Sequence, residues 1–176
     1  MFIVAVVISV GIAYMVYYLR GKQIEFKERE KLLKKGIKAE EDVLNVLKNL
    51  DSSRFVIYSN VEFKIGNGRP FDIDFIVVDK KTSTGYFIDV KSYSGSIYID
   101  SQGYVYINGK KRDFKPAMTL LKFKGLFKEN RDYFVNKYGI KRYMLAVVFP
   151  YSNSVSSDYT KVSFLTLSGL LRFIIK

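Results

Sequence analysis

The chain has neither cysteine nor histidine among its 176 residues. Without thiols or imidazoles there is no disulfide, no Ser-His-Asp or Cys-His triad, and no zinc site of the thiolate or imidazole kind. What remains for chemistry is carboxylate, lysine, hydroxyl, and hard cations bound through oxygen. Acid is scarce too: 17 Asp and Glu face 29 Lys and Arg, a net charge of +12. A body this basic suits a polyanion, either nucleic acid or an anionic lipid surface. Charge alone does not choose between them.

Charge is missing altogether from Met1 to Leu19. A helix of that length spans roughly 28 Å at about 1.5 Å per residue, close to the thickness of a hydrocarbon core. A cleaved signal peptide would need a basic start and a small-residue cleavage site, and neither is present. Residues 1–20 are therefore expected to form a transmembrane anchor in a lipid bilayer. Arg20, Lys22, Lys27 and Arg29 follow it. Basic flanks stay on the cytoplasmic side, which would leave the N-terminus outside and the body cytoplasmic. Tyr14, Tyr17 and Tyr18 gather near that inner boundary.

Residues 21–35 alternate in sign and read as a charged helical neck. Gly36 is expected to interrupt it, so the folded domain is placed at 36–176. Beyond Gly36, Val43, Leu44, Leu47 and Leu50 recur at helical spacing. Strand-like runs follow at 54–63, 71–78 and 85–91, and a hairpin at 96–107 turns on Asp100-Ser-Gln-Gly103. Pro116 is placed in the first turn of a long helix ending at Tyr138 before Gly139. Residues 143–149 read as a strand covered on both faces, 151–157 as a Ser- and Asn-rich loop, 161–165 as a last strand and 168–175 as a closing helix. This order predicts an α/β fold, a mixed β-sheet core flanked by helices, preceded by the single N-terminal transmembrane helix.

Against that background a few charged residues stand out. Asp74 introduces the apolar run Phe75-Ile-Val-Val, and Asp89 and Lys91 stand two apart in Gly85-Tyr-Phe-Ile-Asp-Val-Lys. Residues two apart on a strand share a face, and burying such groups without partners costs several kcal/mol. Two acids able to hold a divalent cation, with an ammonium beside them, make a minimal site for hydrolysing phosphodiesters. Glu40 joins them as the acid on the apolar face of its helix, three, four and seven residues before Val43, Leu44 and Leu47.

Asp72 competes with Asp74, being on the same strand and face. Asp89 and Lys91 also fit a plain surface salt bridge. On the long helix, Lys122, Phe123, Lys124, Phe127, Lys128 and Arg131 fit either a nucleic-acid surface or an ordinary amphipathic helix.

This set resembles the active site of the PD-(D/E)xK nuclease superfamily and is most similar to its nuclease-related domain, NERD. The residues that carry the resemblance are Gly36-Ile-Lys-Ala-Glu40, Ile73-Asp74-Phe75 and Gly85-Tyr-Phe-Ile-Asp89-Val-Lys91-Ser-Tyr-Ser-Gly95, with Pro116 opening the next helix. The likeness covers residues 36–175. Two positions depart from the family pattern: Asp89 stands where Glu is usual, and Thr119 where Gln is.

The resemblance implies a restriction-endonuclease-like fold and a membrane-anchored, metal-dependent nuclease acting on nucleic acid, DNA in particular. Asp74, Asp89 and the Val90 backbone carbonyl would hold Mg²⁺ or Mn²⁺. Lys91 would orient the attacking water or stabilise developing charge, and Glu40 would complete the metal shell or hold Lys91. Lys115 and Lys122 would contact phosphate. A catalytically inactive relative that tethers nucleic acid to the membrane is the alternative.

Overall fold

In the computed structural model, residues 2–64 and 70–175 are described. The chain divides into two compact units, Met1–Ile37 and Lys38–Lys176. Helix α1 (Phe2–Leu47) continues through Gly36, so the interruption expected there does not occur. A single glycine costs a helix about 1 kcal/mol, and the neighbouring Lys, Ala and Glu residues are strong helix formers that absorb it. In the first unit, exposed pairs Glu25–Arg29 and Glu30–Lys34, each 2.7 Å apart, support the helix at i,i+4 spacing. Among the described residues no helix is long and apolar enough to cross a membrane. The anchor expected over residues 1–20 falls mainly on residues whose side chains lie outside those described.

The second unit is built on two sheets rather than one. Strands β1 (Phe55–Phe63), β2 (Phe71–Asp79), β3 (Thr84–Val90), β7 (Arg142–Phe149) and β9 (Ser163–Thr166) form the larger, in the order β1-β2-β3-β7-β9. The β1-β2-β3 part is antiparallel, and β3-β7-β9 is parallel. The smaller sheet has the order β6-β5-β4-β8, from β4 (Ser94–Ile99), β5 (Val105–Ile107), β6 (Lys110–Lys111) and β8 (Tyr151–Ser157). The stretch expected as a loop at 151–157 is thus a strand. It pairs in parallel with β4 from Ser94↔Tyr151 to Ile99↔Ser157. Neighbours β3 and β7 leave the large sheet side by side and reappear as neighbours β4 and β8 in the small one.

The helix expected to end at Tyr138 is broken at Asn130 into α2 (Met118–Glu129) and α3 (Arg131–Tyr138). Gly139, at φ 71°, caps α3 in the left-handed region that glycine tolerates. Helix α4 (Leu167–Ile175) closes the chain.

Two apolar cores lie against the large sheet. One packs Leu120, Phe123 and Phe134 of α2 and α3 on Ile73, Ile76 and Phe87, with Phe87 and Phe123 stacked at 3.8 Å. The other packs Ala39, Val43 and Leu47 of α1 and Leu170 and Ile174 of α4 on Phe75, Val77 and Ile88. Each large side chain so buried contributes about 1.5–3 kcal/mol. Covered from both sides, β3 is buried along its whole length, and that includes Asp89.

Candidate active site

The site forms where the pairing of β2 with β3 ends. Ile73 belongs to the α2–α3 core and Phe75 to the α1–α4 core, although residues two apart in a regular strand share a face. The strand therefore changes phase at Asp74. On β1 the matching residue is Asn60, at φ 51°, and the ladder runs from Ser59↔Phe75 to Val61↔Ile73 without a pair between Asn60 and Asp74. Asn is among the few residues with a side chain that visit this left-handed region readily. This irregularity releases the Asp74 carboxylate from both flanking cores.

The β2–β3 ladder begins its regular run at Phe75↔Ile88, and one further step of that register would set Asp74 against Asp89. Asp74 instead ends the ladder with its side chain: Oδ2 accepts the Val90 N–H at 2.5 Å. Lys91 N–H donates on the other side, to the Val148 carbonyl at 2.9 Å. The N–H and C=O of one strand residue point the same way. The Val90 carbonyl is accordingly directed toward the Asp74 side.

Asp89 is buried, its side chain 5% exposed, with Lys91 Nζ 2.6 Å from Oδ2. The ammonium is what offsets the cost of burying this carboxylate, and beyond it Asp89 Oδ2 has no partner among the described residues.

The charges act on one another. Burial first, and then the Asp89 carboxylate, push Asp74 up to about 6 against the pull of the Val90 N–H and Lys91. Burial also raises Asp89, with Lys91 opposing. Burial works to lower Lys91, but the carboxylates of Asp89 and Asp74 outweigh it and the ammonium is held charged. Glu40 lies at the rim of the α1 stripe, beside fully buried Ala39 and Val43. It is raised by partial burial, then by Asp74 and Asp72, with Lys91 lowering it.

Glu40, Asp74, Asp89 and Lys91 thus meet within electrostatic reach, with the exposed Asp72 as a further negative charge. They do not form a ready-made cage: among the described residues no group of three or more acids is arranged to hold a metal ion. The direct contacts join Asp74 to the Val90 N–H and Asp89 to Lys91, and Glu40 joins the set through its charge.

The expected phosphate contacts separate. Lys115, just before α2, has its ammonium 4.4 Å from the centre of the Tyr104 ring, which Lys111 approaches at 4.3 Å. Tyr93, two residues after Lys91, packs on Phe114 at 5.1 Å, so this cationic pair adjoins the wall of the site. Lys122 is exposed on α2. Phe123 and Phe127 are buried, so they pack the core and are not displayed to bases. The kink at Asn60 escaped sequence reasoning; its signal is an Asn in the middle of an otherwise strand-forming run.

Residues 35–150 match the family model described as the nuclease-related domain, NERD. The chain belongs to that family, and its function is nuclease-related. Neither the curated proteins nor the solved structures yield a match to it.

Proposed function

We propose that this protein is a metal-dependent nuclease that hydrolyses phosphodiester bonds of DNA, with residues 1–20 anchoring it to a bilayer and its body on the cytoplasmic side. The observation that carries the catalytic reading is the meeting of two carboxylates, Asp74 and Asp89, with the Lys91 ammonium 2.6 Å from Asp89 Oδ2 at the end of a core strand.

The donors fit Mg²⁺ or Mn²⁺. They are hard oxygens, two carboxylates and a backbone carbonyl. Mg²⁺ keeps most of its waters and takes one or two protein carboxylates, which Asp74 and Asp89 would supply. Asp74, Asp89 and the Val90 carbonyl would hold the ion, which polarises the phosphoryl oxygen and acidifies a bound water.

The remaining work falls to side chains. Lys91, held charged by two carboxylates, stabilises negative charge developing on the phosphoryl oxygens. Asp74 would hold the ion in its ionised form, and the proton of the attacking water would pass to solvent. Glu40 sets the field around Lys91 from the α1 side.

A second reading is a member that binds nucleic acid without cutting it. It is favoured by the Asp89–Lys91 contact and, among the described residues, by the lack of a group of three acids placed to hold a metal. Nicking of supercoiled plasmid by the full chain in nonionic detergent separates the two. The nuclease reading expects nicking with Mg²⁺ or Mn²⁺ and none with EDTA. Retained, salt-sensitive binding with no nicking under any condition supports the second reading instead.

A further inference from the structure

Five cations surround one hollow of about 450 Å³ far from Asp89: Lys124 and Lys128 of α2, Arg131 at the start of α3, and Lys141 and Arg142 at the start of β7. All five are exposed, and none makes an ion pair with a carboxylate among the described residues. An adjoining hollow shares Lys124 and Tyr143 with the first and adds Lys161. The nearby acids Glu129 and Asp132 do not line either one.

Gathering like charges around a concavity is unfavourable unless an anion enters it, and separate solvated lysines would spread apart. Here the backbone holds them in place. Both Lys141 and Arg142 donate their N–H groups to the Ser83 carbonyl, at 2.9 and 3.3 Å, and the Arg142 guanidinium donates to the Thr82 carbonyl at 3.2 Å. That contact occupies one of the five guanidinium N–H donors and leaves the others for a ligand. Buried Phe127 anchors α2 behind them, and Tyr143 forms a half-buried wall.

The parallel register gives the spacing. Arg142 lies opposite Thr84 and Val147 opposite Asp89, so the hollow lies at the far end of β3 and β7 from the candidate catalytic acids. Five residues of strand span about 17 Å.

We infer that this hollow is a second contact for the phosphate backbone, engaging the same nucleic acid away from the bond that is cut. The inference rests on the nucleic-acid reading above, and it adds a remote binding subsite to the catalytic one. Five cations with no acid lining the hollow match a chain of phosphates, and the nuclease-related family of the chain makes nucleic acid the polyanion proposed here.

The test is binding of a 24-base-pair duplex to the full chain in nonionic detergent with EDTA, where cleavage plays no part. K128E/R142E is compared with K48E/K80E, a pair outside the hollow that changes net charge equally. The expected result is a Kd raised on the order of tenfold or more by K128E/R142E, with the slope of log K against log salt reduced by about two, and little change in the control. Thermal unfolding checks that the variants fold, and the milder K128Q/K141Q is expected to reproduce part of the effect.

Equal effects of K128E/R142E and K48E/K80E would reduce the hollow to bulk charge and overturn the inference. So would duplex binding left unchanged while adsorption to phosphatidylserine vesicles is lost. Because binding is read in chelator, failure of the nuclease reading shows separately, as binding without nicking.

Discussion

Asp74 Oδ2 accepts the backbone N–H of Val90 at 2.5 Å, so a side chain of β2 completes a hydrogen bond that the β2–β3 ladder leaves open. The same carboxylate faces Asp89 and is pushed up to about 6, first by burial and then by that second charge. One group is therefore both a structural acceptor and a strained acid, and the two roles can be pulled apart.

Asp74→Asn keeps an oxygen for the Val90 N–H and removes the charge. At pH 7.5 the variant is expected to unfold at the wild-type temperature or above it, while nicking falls about 100-fold or more. Differential scanning calorimetry and plasmid nicking on the same preparation check the split. A variant that is less stable and still cuts would show Asp74 to be scaffold only.

The pH dependence of stability follows from the same shift. A carboxyl whose folded pKa lies above its unfolded value of 3.8 favours folding in its protonated form. That contribution is fully present below pH 3.8 and is lost as pH rises through about 6. Without divalent cation, Asp74 is expected to cost about 2–3 kcal/mol between pH 4 and pH 7. Urea unfolding in EDTA at several pH values measures this, and Asp74→Asn should flatten the curve. Added Mg²⁺ should restore stability above pH 6, since it binds the ionised form.

Asp79 shows the opposite sign at the other end of β2. Arg54 holds it with two hydrogen bonds, at 3.1 and 2.7 Å, and first of all this guanidinium lowers it to about 2. Its stabilisation is present above pH 3.8 and is lost as pH falls through about 2. Asp79→Asn is expected to cost about 2–3 kcal/mol in urea unfolding at pH 7. Nicking by the folded fraction should be unchanged, because the pair lies at the end of the strand away from Asp74.

Gly95 starts the small sheet at φ 97°, and a Cβ there would run into the Asn108 side chain. That side chain is already engaged, its Oδ1 accepting the Ser96 N–H at 2.9 Å. Gly95→Ala is expected to destabilise by about 1–2 kcal/mol or more, read by thermal unfolding.

The acids at 74 and 89 were legible in the sequence because a charge inside an apolar strand has no packing reason to be there. Most strands were legible from apolar runs for the same reason: their side chains face a core. Strand β8 was not, because Ser152, Asn153, Ser154 and Ser156 carry little apolar signal and the strand exists through its pairing with β4. Gly36 misled because a glycine's cost is small against a long run of helix formers. The break at Asn130 gives α2 and α3 separate directions, and no glycine or proline marks it. Asp74 stood out over Asp72 because the apolar run follows it directly, whereas the phase change opposite Asn60 is displayed by no periodicity. Helix periodicity set Glu40 toward the apolar face, and in the structure it is half-buried beside Ala39 and Val43.

The most direct measurement is the initial rate of plasmid nicking by wild type and by Lys91→Met, side by side in Mg²⁺, with calorimetry confirming that both are folded. The account predicts Mg²⁺-dependent nicking by wild type, abolished by EDTA, and a loss of about 100-fold or more in the variant. Equal rates in the two proteins, or nicking that persists in EDTA, would contradict it.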